Sequence, residues 1–173
     1  MTNLSPLQIE RLKYQPKLPA SLANGINHLI SQEGSATQSV ANQEEIKALF
    51  KNTYGKPTVT FQTSTESVAS EVRNVGVILS GGQAPGGHNV IAGLYDALKQ
   101  ANSKNNLYGF LGGPSVIIEG KYVEFNDEFI NDYRNTGGFD IIGSGRTKLE
   151  TEEQFQAAWE VCKKLNISAV VII

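Results

Sequence analysis

The stretch that decides the fold is Val75–Asn89, VGVILSGGQAPGGHN. Val75–Leu79 is a short unbroken apolar run, the way a strand buried on both faces of a parallel sheet reads. The chain then turns through Gly81, Gly82, Gly86 and Gly87, and Val90, Ile91, Leu94, Tyr95 and Leu98 recur beyond at helical spacing. Strand, glycine turn and helix follow in that order. Leu107–Leu111 supplies a second strand, closing a βαβ unit whose crossover is expected to be right-handed. Asp140–Ile142 is a third, shorter strand candidate. Thr151–Leu165 reads as a helix opened by a Thr151/Gln154 capping box, with Phe155, Ala158, Trp159, Cys162 and Leu165 on one face and Trp159 in the core. Ala169–Ile173 is a last strand. This alternation predicts an α/β fold: an open, mostly parallel sheet with helices on both faces in Rossmann-like layers.

Working back toward the N-terminus, the signals weaken. Ala20–Ile30 reads as helical, with Gly25 against it, and Asn42–Phe50 reads as a short helix with Asn42 as N-cap and Glu45 at the capping-box position. After Pro57, the segment TVTFQT (Thr58–Thr63) is rich in β-formers and leads into a polar connector over Ser64–Ser70. Residues 1–72 are therefore read as a mainly helical extension, and residues 73–173 as an α/β domain. No repeat, heptad pattern or low-complexity tract is visible.

Composition narrows the partners. The 173 residues are 40% hydrophobic and 18% charged, enough for a packed core, with a formal net charge of −2 that offers no field to gather nucleic acid or anionic lipid. Cys162 is the single cysteine, which excludes an internal disulfide and a cysteine-rich zinc site and points to a reducing cytoplasm. The longest apolar runs fall short of the about 20 residues that span a bilayer. A small molecule or another protein is the expected partner.

The chemistry is concentrated in glycine-rich loops at strand ends. Ser80–Asn89 has the physics of a phosphate site: glycines let the backbone approach an oxyanion, successive N–H groups form a nest, and a helix N-terminus follows. Neither the P-loop nor the dinucleotide fingerprint is met, since His88 and Asn89 stand where Lys and Ser/Thr would be needed. A tight turn that needs glycine for geometry alone is the competing explanation, and four glycines exceed what one turn demands. Gly143–Lys148 (GSGRTK) follows the third strand candidate; Arg146 offers a planar fork for phosphate oxygens and Lys148 a point charge. Alone it reads equally as a solvated basic loop, but parallel strands would bring it to face the first loop. Gly109–Ser115 is a third glycine-rich loop, which could line the same crevice, although a plain turn is favoured. His88 reads as a capping or loop residue, and Asp127, Glu128, Asp132 and Asp140 lack metal-ligand spacing.

Several of these segments in series carry a resemblance. VGVILSGGQAPGGHNVIAGLYDALK (Val75–Lys99), LYGFLGGPS (Leu107–Ser115), EGKYVE (Glu119–Glu124), YRNTGGFDIIGSGRTKLET (Tyr133–Thr151) and SAVVII (Ser168–Ile173) resemble the long-form pyrophosphate-dependent phosphofructokinases, over about residues 72–173. The resemblance implies reversible phosphate transfer from pyrophosphate to fructose 6-phosphate in the cytoplasm, by a homo-oligomer with a dimer favoured. GGQAPGGHN, in place of the GGDSPGMNA type of ATP-dependent relatives, favours the pyrophosphate branch. It implies that Gly82 contacts the donor phosphates through its backbone and that Arg146 meets the donor's phosphoryl group, with Gly81, Gln83 and Lys148 as less supported neighbours. In the family a Gly-Gly-Asp-Asp loop follows the strand that here ends at Ile173, its first Asp binding magnesium, and a Thr-Ile-Asp segment with the general base comes later. The chain is thus expected to be an N-terminal portion, inactive alone, with no catalytic residue or Mg2+ ligand of its own. An ATP-dependent phosphofructokinase and a non-catalytic regulatory subunit of the same fold are the alternatives.

Overall fold

A computed structural model describes residues 4–173. They form two compact units, one of the described residues up to Pro16 together with Ser70–Ile173, the other of Lys17–Ala69.

The first described helix is α1 (Pro6–Lys13), which is not among the elements expected from the sequence although its signals are present. Ser5 Oγ accepts from the Gln8 N–H, Gln8 returns the bond to the Ser5 N–H, and Pro6 fills the first turn. This helix groups with the α/β unit: the Asn135 side chain donates to Arg11 O at 2.8 Å and to Tyr14 O at 3.1 Å.

In the other unit the helix expected over Ala20–Ile30 does not form. Gly25 takes φ 90°, and single 3-10 turns at Ala20–Leu22 and Ile26–His28 stand on either side of it. The chain then runs into β1 (Leu29–Ala36), which pairs antiparallel with β2 (Pro57–Thr63). Between them lies α2 (Gln43–Leu49), at the expected place but without the expected cap: Asn42 is left-handed (φ 51°) and its side chain makes no capping bond.

The α/β unit is built on a four-stranded sheet in the order β5-β4-β3-β6, from β3 (Asn74–Ile78), β4 (Asn106–Phe110), β5 (Tyr122–Glu124) and β6 (Ile167–Ile172). β3 runs parallel to β4 and to β6, and β5 lies antiparallel to β4 at one edge. Period-two alternation sends Val75, Val77 and Leu79 to one face, against Ile91 and Tyr95 of α3 (Gly87–Ala101). Ile78 and Phe110 point to the other face, against Ala158 of α5 (Glu152–Lys164). The expected α/β fold with helices on both faces is what forms. α4 (Asp127–Tyr133) closes the α3 side, where Tyr95 Oη donates to Asp127 Oδ1 at 2.9 Å and Arg134 forks onto Asp96 at 2.6 and 2.9 Å. Burial and the bond to Asp127 push the Tyr95 phenol up to about 12.

Two expectations fail on the α5 and β-sheet sides. The capping box at Thr151 and Gln154 is present, but the helix turns its stripe through Ala158, Val161, Cys162 and Leu165 toward the sheet, leaving Phe155 52% and Trp159 58% exposed. Trp159 is therefore a surface residue here. Asp140–Ile142 is not a strand either; its backbone N–H groups at 140 and 141 are taken by a side chain, as described next.

Candidate functional site

The chain leaves β3 for β4 on one side and returns to its other side at β6, so β3 is the point where the strand order reverses. In open α/β sheets the crevice outside the carboxyl ends of such strands is where ligands bind. The loop after β3, Ser80–Gly86, stands there, tied by the Ser80 N–H to Ile173 O at 2.7 Å.

The GSGR loop comes to the same place. Ser80 and Gly145 form a parallel bridge, the Gly81 N–H donates to Gly145 O at 2.8 Å, and the Gly145 N–H reaches Leu79 O at 3.4 Å. The loop after β4 joins them through the Gly112 N–H on Ile142 O at 2.8 Å. A Cβ on Gly113 would stand 2.5 Å from Gly145 Cα, and one on Gly145 would overlap Gly112 O, so backbone lies directly on backbone. The Gly109–Ser115 segment is thus part of the convergence and not a plain turn. The sequence favours a turn there because a contact between main chains leaves no side-chain pattern.

Arg146 projects from this junction over Gly82. A Cβ built on Gly82 would meet Arg146 Nη2 at 2.8 Å, a close approach that only glycine leaves open. Arg146 has no ion-pair or hydrogen-bond partner among the described residues, and Gly82, Gln83, Arg146 and Lys148 are all exposed. The N–H groups of Gly82, Gln83 and Ala84 have no acceptor among the described residues, whereas Gly81 has spent its own on Gly145. The free donors and the guanidinium therefore flank one exposed surface. Lys148 lies two residues further along, with no contact that ties it to Gly82.

The N-terminus of α3 contributes less than the sequence suggested. Gly86 N–H donates to Gly137 O and His88 N–H to Gly138 O, at 2.8 and 2.9 Å, and Asn89 Oδ1 accepts from the Gly137 N–H. The first turn of the helix is thus covered by residues 137–138. The backbone donors left without an acceptor among the described residues belong to the loop before the helix.

His88 is neither a cap nor a loop residue; it is 4% exposed. Its Nδ1 lies 2.6 Å from Thr136 Oγ1, whose hydroxyl donates to Tyr133 O, so Nδ1 carries the proton and donates to Thr136. Nε2 is then the acceptor, and it takes the N–H groups of Asp140 at 2.9 Å and Ile141 at 3.1 Å. The Asp140 carboxylate, mostly exposed, also lies 2.9 Å from Nε2, but with that nitrogen unprotonated the two are not an ion pair. Burial holds the His88 pKa below its ordinary 6.5, against the opposing pull of Asp140.

The residues from the start of β3 onward, 74–173, match the family model described as Phosphofructokinase. The chain belongs to the phosphofructokinase family. It is 54% identical over 169 residues to the pyrophosphate–fructose 6-phosphate 1-phosphotransferase of Porphyromonas gingivalis, covering 98% of this chain and 30% of that protein. It is 46% identical over 171 residues to the protein of the same name from Entamoeba histolytica, covering 99% of this chain and 31% of the relative. It is 44% identical over 170 residues to the subunit beta 1 of that name from Arabidopsis thaliana, covering 98% and 30%. The chain thus spans about 30% of the length of the curated relatives it matches, and because 98% of it is covered, nearly all of its first 72 residues lie within the matched span.

Among the described residues, no three His, Cys, Asp or Glu side chains stand together as a metal site, and no helix is long and apolar enough to cross a membrane.

Proposed function

We propose that the chain supplies the donor-phosphate clamp of a cytoplasmic, homo-oligomeric enzyme that transfers a phosphoryl group reversibly between pyrophosphate and fructose 6-phosphate. The observation that carries this reading is the Arg146 guanidinium poised over Gly82, beside the acceptor-free N–H groups of Gly82, Gln83 and Ala84. The names of the relatives support pyrophosphate as the donor.

In the forward reaction the C1 hydroxyl oxygen of the sugar bonds to one phosphorus of pyrophosphate, the bridging P–O bond breaks, and inorganic phosphate leaves. The hydroxyl proton passes to a base. Such transfers are governed by positioning and by neutralising charge on the phosphate oxygens. In this chain the loop N–H groups of Gly82 and Gln83 hold donor oxygens, Arg146 takes the phosphoryl charge in a planar fork, and Gly81 shapes the loop through its bond to Gly145. Lys148 adds a longer-range positive charge. The base and the magnesium ligand are expected beyond Ile173. Magnesium when bound would neutralise donor oxygens, and among the described residues no three His, Cys, Asp or Glu side chains stand together to hold it. Accordingly the 173-residue chain alone should make no fructose 1,6-bisphosphate.

The test is Arg146→Ala in the intact enzyme. It should lower kcat/KM for pyrophosphate by about 10²- to 10³-fold, the range for losing one hydrogen-bond donor to charge that develops in the transition state, while the KM for fructose 6-phosphate stays within about threefold. An unchanged rate with pyrophosphate would end the reading, and faster turnover of the wild type with ATP would move it to the ATP-dependent branch.

A further inference from the structure

We propose that His88 is a positioning residue for the donor site: its imidazole Nε2, accepting the backbone N–H groups of Asp140 and Ile141, sets the segment that carries Arg146 to Gly82. The inference rests on the donor-site reading above.

The segment from Thr136 to Gly145 is irregular and partly buried, with Phe139, Ile141 and Ile142 in the core. Buried N–H groups without a strand partner need an acceptor, and leaving one unpaired costs about 1–3 kcal/mol. His88 supplies that acceptor to two consecutive residues at once. From there the hydrogen bonds run to the site without a gap. Gly143 N–H returns to Asp140 O at 3.2 Å, Ile142 O accepts from Gly112, and Gly145 exchanges bonds with Leu79 and Gly81. Arg146 is the next residue. The ring itself is fixed from its other side by Thr136 and by an edge contact with Tyr133 at 5.0 Å, and a Cβ on Gly138 would collide with it. Thr136 thereby selects the tautomer with a lone pair on Nε2. An imidazole held this tightly, and pointed at the main chain instead of the crevice, does not touch the donor. It acts through the place it gives to Arg146.

Two substitutions separate the functions of the two ring nitrogens. His88→Asn keeps an amide near the Nδ1 position for Thr136 and drops the acceptor for residues 140 and 141; His88→Gln extends an acceptor toward the Nε2 position. In the intact enzyme, His88→Asn should lower kcat/KM for pyrophosphate by about 10- to 100-fold, as displacement of a reacting-site group by about 1 Å does. The KM for fructose 6-phosphate should stay within about threefold, and His88→Gln should recover at least about tenfold of a 100-fold loss or nearly all of a smaller one. In an Arg146→Ala background the same change should cost less than about threefold, because the residue it acts through is gone. A pyrophosphate kcat/KM within twofold of wild type in His88→Asn, or a full multiplicative loss in the double variant, overturns the proposal. If His88→Asn does not fold, Thr136→Val decides, with a loss of about three- to tenfold expected and none overturning it. Failure of the donor reading is seen separately, as an Arg146→Ala single variant with unchanged pyrophosphate kinetics.

Discussion

A methyl group added at Gly113 and one added at Gly82 should have opposite signatures. At Gly113 the backbone has φ 103°, and the new Cβ would lie 2.5 Å from both Cα and N of Gly145 and 3.0 Å from its C. An L-residue in that conformation costs about 1–3 kcal/mol. Relieving the overlap requires a shift of about 1 Å in one of the two main chains, which strains the bonds Gly81 N–H to Gly145 O and Gly112 N–H to Ile142 O, both 2.8 Å. One buried bond lost adds about 1–3 kcal/mol. Gly113→Ala should therefore lose about 2–6 kcal/mol in urea unfolding and, because Arg146 follows Gly145, about 10- to 100-fold in kcat/KM for pyrophosphate. At Gly82 the methyl meets only the tip of Arg146, at 2.8 Å, and a flexible side chain moves aside. Gly82→Ala should stay within about 0.5 kcal/mol of wild type, as surface changes do, yet lose pyrophosphate turnover by at least about tenfold. Gly113→Ala with wild-type stability and turnover would refute the convergence of the loops. Gly82→Ala with lowered stability and unchanged turnover would refute the role of the gap above it.

Other outcomes follow from the same geometry. The folded state takes up a proton at His88 less readily than the unfolded chain, so this contribution to stability is complete above about pH 6.5 and is lost as pH falls toward the lowered folded pKa. Urea titrations should show that decline in the wild type and less of it in His88→Gln; equal pH slopes would contradict it. Phe110, fully buried between β4 and α5, should cost about 3–5 kcal/mol on truncation to Ala, whereas Trp159→Ala should cost less than about 1 kcal/mol and iodide should quench Trp159 fluorescence in the 173-residue chain. Thr151→Ala should cost about 1 kcal/mol by removing the reciprocal cap of α5.

Where local physics and tertiary packing agree, the residues announce the structure. Val75–Leu79 is apolar because both faces of β3 are covered, and Thr151 with Gln154 begins α5 wherever that helix packs. The failures have a common cause in partners distant along the chain. LISQEGSA of β1 has no alternation, since both its faces are largely exposed, and its strand exists only through pairing with β2. Phe155 and Trp159 share a helical stripe with Ala158, but the sheet selects a face rotated toward Val161. Ile141 and Ile142 are as apolar as a strand, while the partner of that backbone is a histidine ring more than fifty residues earlier. The glycine loops and Arg146 stand out in the sequence as candidates for phosphate chemistry; the packing of Gly113 on Gly145 and the burial of His88 do not, because main-chain contact and a buried acceptor leave no motif.

Pyrophosphate binding to the intact enzyme in the absence of sugar, measured by calorimetry for the wild type and Arg146→Ala, tests the donor clamp most directly. Affinity at least tenfold weaker in the variant, about 1.4 kcal/mol, is the predicted result. Equal affinities would contradict the assignment of Arg146 and the Gly82 loop as the donor clamp.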